Sequence, residues 1–512
     1  MHHTKALNLA ILAASFAALF CFNAFASETS LLKESQVLES IQNNMEDRQE
    51  LEALTLATLP ALNRMPEELD AMKQGSCITP VYPHFVEDLY QFPQDIEVYA
   101  KKNALRHKRL YDVQKDFDKN YFSVWSYTRP PESSFTARWP FRAYIEGSSY
   151  GENLQLLASS WFDKMVAKAD FKAFGEVNRY GLTLHFASLR NFPTNKPLFR
   201  DPTLAGEGFP FDYLQNSAVH ANEPIYLSHY SKDRAWVYVY TSYASGWLPS
   251  YAIAFMDKKE RKKWENSKPV YLLKEKVALA DTEGHFLFYS RVGMQLSFIR
   301  KTYKYTYVRA VAQGAFNKPT FVTIKFDNAD VTTAPLFINK NNLTKITADI
   351  MKENYGWGGL YEDRDCSSTL RDIFAPFGIW MPRNSRQQSL IGKVISFEDL
   401  NVAQKKKMIK ERAVPFETLL HRKGHIMLYL GTYDEKIMIL HNMWGIKTVD
   451  ENEKEGRVII GKVVISTLEV GSKQNGYDYN SSLLPNLDRM NIFTYSSETK
   501  KKRSLIKKKS NG

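Results

Sequence analysis

The segment 365–388 constrains the fold of this chain more than any other stretch. Four apolar residues recur there at the spacing of one face of an amphipathic helix: Leu370, Ile373, Phe374 and Phe377. Asp365 is a favoured N-cap, and Gly378 ends the helix. Cys366 therefore lies in the first turn, where unpaired backbone N–H groups and the helix dipole favour a thiolate. The pattern predicts a cysteine nucleophile at a helix start.

The first residues have the pattern of an export signal. A basic Lys5 precedes the apolar run 6–22, and Ala24-Phe25-Ala26 matches the small-x-small site of signal peptidase. This predicts a signal peptide over residues 1–26, cleaved after Ala26. An uncleaved anchor is the alternative, although the run is short for a membrane span. We expect a mature periplasmic or secreted protein without an integral membrane segment.

Cysteine usage fits an exported enzyme rather than a disulfide scaffold. After cleavage only Cys77 and Cys366 remain. An exported protein of this size that relied on disulfides would carry more cysteines, placed in pairs. A Cys77–Cys366 disulfide is the alternative, and it would block the nucleophile.

The net charge of +12 is concentrated at the two ends of the chain. Lys5 leaves with the signal peptide, and seven cations lie in the tail without an acid among them: Lys500, Lys501, Lys502, Arg503, Lys507, Lys508 and Lys509. Without these eight cations the body carries +4. The tail is expected to be solvated, or to hold the protein near an anionic envelope surface. Its cations do not alternate with aromatic residues, so no nucleic-acid partner is predicted.

At 512 residues the chain is too long for one hydrophobic core. Over residues 181–256, short β-branched and aromatic runs alternate with turn residues, which predicts a small barrel. After the charged segment 257–268 the same texture repeats to about residue 341, which predicts a second barrel. Thr344 is then expected to cap a helix, and 456–465 to be the last folded strand.

A thiol nucleophile needs a base, and the base needs a group that orients it. His425 starts a predicted strand, and His441 ends the neighbouring one. Two adjacent strands could place these imidazoles side by side, although each alone could be an ordinary half-buried histidine. A metal site is the alternative, since His421 and His425 are four residues apart. That spacing aligns side chains on a helix, whereas this segment has a strand pattern, so neither a metal nor a cofactor is predicted.

Three groups of residues carry a family resemblance: Asp365-Cys366-Ser367, Pro382-Arg383-Asn384-Ser385 with Gln388, and Gly424-His425 with His441. Residues 343–470 resemble the NlpC-type cell-wall cysteine peptidases, which have a papain-like core and hydrolyse peptidoglycan stem peptides. Upstream, segments 190–194, 211–215 and 243–247 look like the first bacterial SH3-like domain of the multidomain branch.

The resemblance implies an α+β chain in which a papain-like peptidase domain follows two small SH3-like β-barrels and a largely helical or irregular N-terminal region. The implied boundaries follow the chain: 1–26 signal peptide, 27–178 N-terminal region, 179–258 first barrel, 259–342 second barrel, 343–490 peptidase domain and 491–512 basic tail.

The resemblance also implies residue roles. Cys366 is the nucleophile, His425 the base and His441 the third member. Asp365, Ser367 and Ser385 match positions that hold the γ-D-glutamyl portion of the substrate. Tyr243 matches a barrel tyrosine that closes the pocket, and we expect its hydroxyl to be free. Asn384 stands where several relatives have Asp, so pairing with a free α-amine is weakened.

The implied activity is hydrolysis of the γ-D-glutamyl–diamino acid bond of peptidoglycan stem peptides. Two alternatives remain open: a non-catalytic peptidoglycan-binding protein, and a thiol acyltransferase acting on the same peptides.

Overall fold

The computed structural model describes residues 86–102 and 113–494. The predicted signal peptide, most of the N-terminal segment with Cys77, and the cations of the tail lie outside them. No helix among the described residues combines the length and the apolar character needed to cross a membrane. Short helices occupy the N-terminal region: α1 (Ile96–Lys102), α2 (Val113–Tyr121), α3 (Ser134–Ala137), α4 (Pro140–Ala143) and α5 (Ser159–Ala169).

The first barrel is an antiparallel sheet in the order β3-β2-β6-β5-β4-β1-β7. Its strands are β1 (Arg179–Thr183), β2 (Ala187–Arg190), β3 (Gln215–Val219), β4 (Pro224–Tyr230), β5 (Trp236–Tyr240), β6 (Ser245–Pro249) and β7 (Ile253–Phe255). Leu189, Val237 and Val239 form its interior, while Trp247 packs on the other face with Trp125 of the N-terminal region. The short strands predicted over residues 181–256 are confirmed.

The second barrel follows a helix, α6 (Lys258–Glu265), that the sequence pattern left as a charged break. Its strands are β8 (Pro269–Leu272), β9 (Ala278–Ala280), β10 (Phe286–Tyr289), β11 (Gln295–Lys301), β12 (Tyr305–Gln313), β13 (Pro319–Asp327) and β14 (Val331–Thr332). Five of them form a sheet in the order β13-β12-β11-β8-β14. Strand β11 was not predicted, because a register shift between Phe298 and Arg300 breaks its alternation.

The elements of the predicted peptidase domain are α7 (Lys340–Ile350), α8 (Cys366–Phe374), α9 (Ser385–Gln388), β15 (Lys393–Ser396), α10 (Val402–Arg412), β16 (Thr418–Arg422), β17 (His425–Tyr433), β18 (Lys436–Val449), β19 (Glu455–Thr467) and β20 (Leu487–Ile492). Its helices lie against a six-stranded antiparallel sheet in the order β15-β20-β16-β17-β18-β19. The apolar stripe of α8 packs on Ile426, Leu428 and Leu440 of the sheet. The chain is an α+β protein with a papain-like peptidase domain behind two SH3-like barrels.

Two predicted details of this domain are wrong. Helix α7 begins four residues before Thr344 and is capped by Asn339, whose side chain accepts a hydrogen bond from the Asn342 N–H. The segment 456–465 is not the last strand, because β20 follows it and lies between β15 and β16. The sequence of β20, Leu-Asp-Arg-Met-Asn-Ile, does not alternate regularly between apolar and polar residues. The position of the Asn339 cap likewise has no distinct sequence pattern.

A buried ionic cluster joins both barrels to α8. Asp372 of α8 accepts hydrogen bonds from Arg364 at 2.7 Å and from the neighbouring Arg371 at 3.0 Å, and it pairs with His220 of the first barrel at 3.2 Å. Arg364 also donates to Glu275 of the second barrel at 2.9 Å. The helix that carries Cys366 is therefore connected through this cluster to both barrels.

Candidate active site

Cys366 is the first residue of α8 and carries a free thiol. A capping box forms the helix start: an Asp365 carboxylate oxygen accepts from the Ser368 N–H at 2.8 Å, and the Ser368 hydroxyl accepts from the Asp365 N–H at 3.0 Å. The Ile426 N–H of β17 lies close enough to the sulfur to act against the rise in the pKa of the thiol, which places Cys366 at the strand start next to His425. The predicted cap and helix are confirmed.

The two predicted histidines are in contact. Nε2 of His425 lies 2.8 Å from Nδ1 of His441, and Nε2 of His441 lies 2.9 Å from the Ser466 hydroxyl. Since its Nε2 is occupied by His441, His425 has Nδ1 left to exchange a proton with the thiol. Chemically, this arrangement can supply a nucleophile, a base and an orienting chain that ends in Ser466 of β19.

Burial controls the ionisation of this pair. It raises the pKa of the Cys366 thiol to about 12, with the Asp365 carboxylate adding to the rise, because the residue is only 7% exposed. Burial lowers the pKa of His441 to about 3 and, together with the His441 charge, holds the pKa of His425 well below its usual range. The expected thiolate is therefore not favoured in the resting structure, which holds a neutral thiol beside a neutral imidazole.

Asp365 and Ser367 form a polar cluster with Arg383. The Arg383 guanidinium contacts the Asp365 carboxylate at 2.7 Å and donates to the Ser367 hydroxyl at 2.9 Å. Burial opposes ionisation of Asp365, but the arginine holds the pKa of its carboxyl below the usual range. Both predicted residues thus lie beside Cys366, with a permanent cation next to them.

Asn384 and Ser385 follow Arg383 at the start of α9. Asn384 is exposed and serves as the N-cap, accepting a hydrogen bond from the Gln387 N–H at 2.9 Å. Ser385 is the half-buried first residue of the helix. The side-chain oxygen of Asn384 is therefore engaged in the helix cap, not directed at Cys366.

The predicted free hydroxyl of Tyr243 is wrong. The hydroxyl donates to the Ala218 carbonyl at 3.0 Å and to the buried Glu223 carboxylate at 3.3 Å. The ring lies 4.1 Å from the Arg371 guanidinium, five residues along α8 from Cys366. The small residues that follow Tyr243 suggested a side chain with a free hydroxyl. The two acceptors lie far from Tyr243 in sequence, so local sequence could not indicate them. Tyr243 forms part of the junction with α8.

Other residues of the first barrel reach the candidate site. Phe211 lies 5.2 Å from the Trp357 ring and 6.5 Å from the Tyr355 ring. Ser217 accepts a hydrogen bond from Arg383 at 2.7 Å. At Gly359, which has a positive φ of +89°, an added Cβ would lie 2.4 Å from the Cβ of Ala218. The barrel therefore forms a wall against the peptidase segments around Cys366.

Sequence reasoning missed Tyr355 and Arg383. Burial raises the pKa of the Tyr355 phenol well above its usual value, and the charges of Cys366 and Asp365 add to the rise because they lie close by. The available signals were the Tyr-Gly-Trp-Gly-Gly turn before the nucleophile, and the need of a buried Asp365 for a cation.

The histidine pair proposed for a metal is divided between different partners. Nδ1 of His421 lies 2.7 Å from an Asp488 carboxylate oxygen, whereas His425 contacts His441. Within residues 86–102 and 113–494, the side chains close enough to share one ion are those of Asp281, Glu283 and His285. These belong to a turn of the second barrel.

Four family models match the chain in succession. Residues 69–174 match the NLPC_P60 stabilising domain, 197–249 an SH3 domain of SH3b1 type, 257–302 an SH3 domain of SH3b2 type, and 352–464 the NlpC/P60 family. The chain carries an NlpC/P60 domain. This domain follows a stabilising domain and two SH3 domains, and it indicates a peptidase that acts on peptidoglycan.

Solved structures resemble this NlpC/P60 protein at low identity. An NlpC/P60 endopeptidase from Photobacterium damselae subsp. piscicida is 24% identical over 79% of this chain and 98% of its own, with a TM-score of 0.69. An NlpC/P60 family protein from Bacillus cereus ATCC 10987 is 15% identical over 55% of this chain and 82% of its own, with a TM-score of 0.35. No protein of curated function matches the chain.

Proposed function

We propose that the protein is a cysteine endopeptidase that hydrolyses the γ-D-glutamyl–diamino acid bond of peptidoglycan stem peptides. The observation that carries this proposal is the hydrogen-bonded series His425, His441 and Ser466 on adjacent strands, with Cys366 at the start of α8 close to Ile426, the neighbour of His425. The proposed roles are nucleophile for Cys366, base for His425 and orienting group for His441.

The reaction begins from a neutral pair. The Cys366 proton passes to His425 while the sulfur attacks the γ-carbonyl carbon, and backbone N–H groups at the helix start, including that of Cys366, receive the oxyanion. Collapse breaks the C–N bond, and His425 returns the proton to the leaving amine. Water, deprotonated by His425, then cleaves the thioester. His441 keeps the imidazole oriented through both steps.

The polar cluster beside the nucleophile supports recognition of the glutamyl portion. Ser367 and Asp365 lie next to Cys366 in sequence, and Arg383 gives the cluster a cation that a carboxylate-bearing residue can approach. Ser385 and Asn384 open the helix that follows Arg383. We propose Asp365, Ser367, Asn384 and Ser385 as substrate contacts on the acyl side of the bond.

The wall formed by the first barrel supports a preference for released peptides. Phe211 and Ser217 pack on the segments that hold Tyr355 and Arg383, and Cys366 is nearly enclosed. A glycan strand attached to the first alanine of a stem peptide would have to pass this wall. Peptides with a free N-terminal alanine are the proposed substrates.

Product masses test the proposal. Purified protein is incubated with an L-Ala-γ-D-Glu-diamino acid peptide and, in parallel, with intact sacculi. The expected products are L-Ala-D-Glu and the free diamino acid, formed faster from the peptide than from sacculi. Transfer products with an added amine would indicate an acyltransferase instead. A wild-type protein that binds sacculi and leaves both substrates intact would contradict catalysis.

A further inference from the structure

One fully buried amide, Asn442, connects the strand of His441 to the helix of Cys366. Asn442 directly follows His441 in β18, and its Nδ2 donates to the Arg364 carbonyl at 2.6 Å and to the Thr369 hydroxyl at 3.1 Å. Arg364 lies two residues before Cys366, and Thr369 lies three residues after it. The amide therefore holds the first turn of α8 from both sides of the nucleophile.

The two acceptors are themselves fixed. The Thr369 hydroxyl donates to the Asp365 carbonyl at 2.8 Å, and the Arg364 carbonyl also accepts from the Gly356 N–H at 2.8 Å. Because both acceptors belong to the ordered helix start, Asn442 joins β18 to a rigid turn.

The remaining contacts connect the strand of Asn442 back to the thiol through the two histidines. His441, the neighbour of Asn442, contacts His425, and the Cys366 thiol lies close to the N–H of Ile426, the neighbour of His425. The segment of the thiol is thus connected to the segment of the His425 imidazole in two ways. One connection runs directly through β17, and the other runs through β18 and Asn442.

We propose that Asn442 is a positioning residue that fixes the spacing between the Cys366 thiol and the His425 imidazole. It touches neither reacting atom and acts through Arg364 and Thr369. The inference rests on the proposed function only in assigning the chemistry to this thiol and imidazole. A displacement of about 1 Å at such a pair is sufficient for a loss of about 100-fold in rate.

The chain offers a matched control in Asn491 of β20. This amide is also fully buried, and its Nδ2 donates to the carbonyls of Gln388 at 3.0 Å and Ile391 at 2.8 Å. The Oδ1 atoms of both amides have no hydrogen-bond partner among the described residues. Neither acceptor of Asn491 lies on α8 or β18. Asn491→Ala therefore removes equivalent bonds and volume, and its one connection to α8 among these contacts is indirect, through the Gln388 side chain that donates to the Ser367 carbonyl at 2.8 Å.

The test compares Asn442→Ala with Asn491→Ala in the full chain. We expect both to lower Tm, but only Asn442→Ala to lower kcat, by about 10- to 100-fold with KM little changed. The pH profile of Cys366 alkylation by iodoacetamide, read by peptide mass spectrometry, should shift in Asn442→Ala alone. Equal kcat losses in both variants, or an unchanged alkylation profile in Asn442→Ala, would overturn the inference.

A second pair of variants tests the inference if Asn442→Ala folds poorly. Thr369→Val removes the hydroxyl that Asn442 contacts at nearly constant volume, whereas Thr369→Ser keeps it. The inference requires a larger loss of kcat in Thr369→Val than in Thr369→Ser, and equal losses would contradict it. Alkylation needs no substrate. A wild-type protein inactive on stem peptides, with an alkylation profile that Asn442→Ala shifts, would therefore refute the proposed function and leave this inference standing.

Discussion

Replacing Asp372 by asparagine tests how the barrels are fastened to the nucleophile helix. The Asp372 side chain is 3% exposed and contacts Arg364 at 2.7 Å, Arg371 at 3.0 Å and His220 at 3.2 Å. Asparagine keeps the shape but has no charge, and one of its two terminal atoms cannot accept a hydrogen bond. The two buried arginines would lose their shared anion.

Breaking a buried ion pair by removing one partner costs about 3–5 kcal/mol, because the other charge stays buried without compensation. We expect the free energy of unfolding of Asp372→Asn to fall by about that amount at neutral pH. Burial opposes ionisation of Asp372, but Arg371, His220 and Arg364 hold the pKa of this carboxyl well below its usual range.

That lowered pKa fixes the sign of the pH dependence. The contribution of the carboxylate is fully present above its unfolded pKa of about 3.9 and is lost as pH falls through the lower folded value. The stability gap between wild type and Asp372→Asn should therefore be constant near neutrality and narrow below about pH 4.

Urea denaturation followed by tryptophan fluorescence measures this gap at several pH values. Glu435→Gln is the control, since Glu435 pairs with Lys410 at 3.0 Å but its side chain is 96% exposed. Such a surface pair contributes little. The reasoning is refuted if Asp372→Asn unfolds at the same urea concentration as Glu435→Gln at neutral pH. A gap that persists undiminished in acid would refute the electrostatic origin alone.

Three further predictions concern the site. Cys366→Ala should abolish hydrolysis of the defined stem peptide while leaving Tm nearly unchanged; residual turnover by this variant would remove the thiol mechanism. His425→Ala should lose about as much activity as Cys366→Ala, since residues acting as a unit are non-additive, whereas His441→Gln should be milder because an amide can still hold the ring. Because burial lowers the pKa of His425, the acid limb of kcat/KM should lie below about 6.5, the ordinary histidine value; a limb at or above that value would contradict a buried neutral base.

Local signals were sufficient to place Cys366 at a helix start and His425 and His441 on adjacent strands. An N-cap, a 3.6-residue apolar stripe and a terminating glycine lie within one short segment, so the helix of Cys366 could be read from neighbouring residues alone. His425 and His441 were predicted from strand patterns, and their 2.8 Å contact follows from β17 and β18 being adjacent in the sheet.

Tertiary partners decided what the sequence could not show. The Tyr243 hydroxyl is bound by Ala218 and Glu223, and Arg383 reaches Asp365 across 18 residues. The expectation of a thiolate used the helix dipole but could not include the burial of Cys366. In each case the outcome depends on burial of the group or on a contact between segments that are distant in sequence.

The position of β20 orders the events by which the peptidase domain is assembled. This strand comes last among the described strands, yet it lies between β15 and β16, both made much earlier. A ribosome that has not yet reached Leu487 has produced the thiol and both histidines without the strand that joins these two parts of the sheet. Loss of β20 by proteolysis would open the sheet in its interior, whereas loss of an edge strand would remove pairing on one side only. The last of the described strands to be synthesised is thus required before the sheet that packs against the helix of Cys366 is complete.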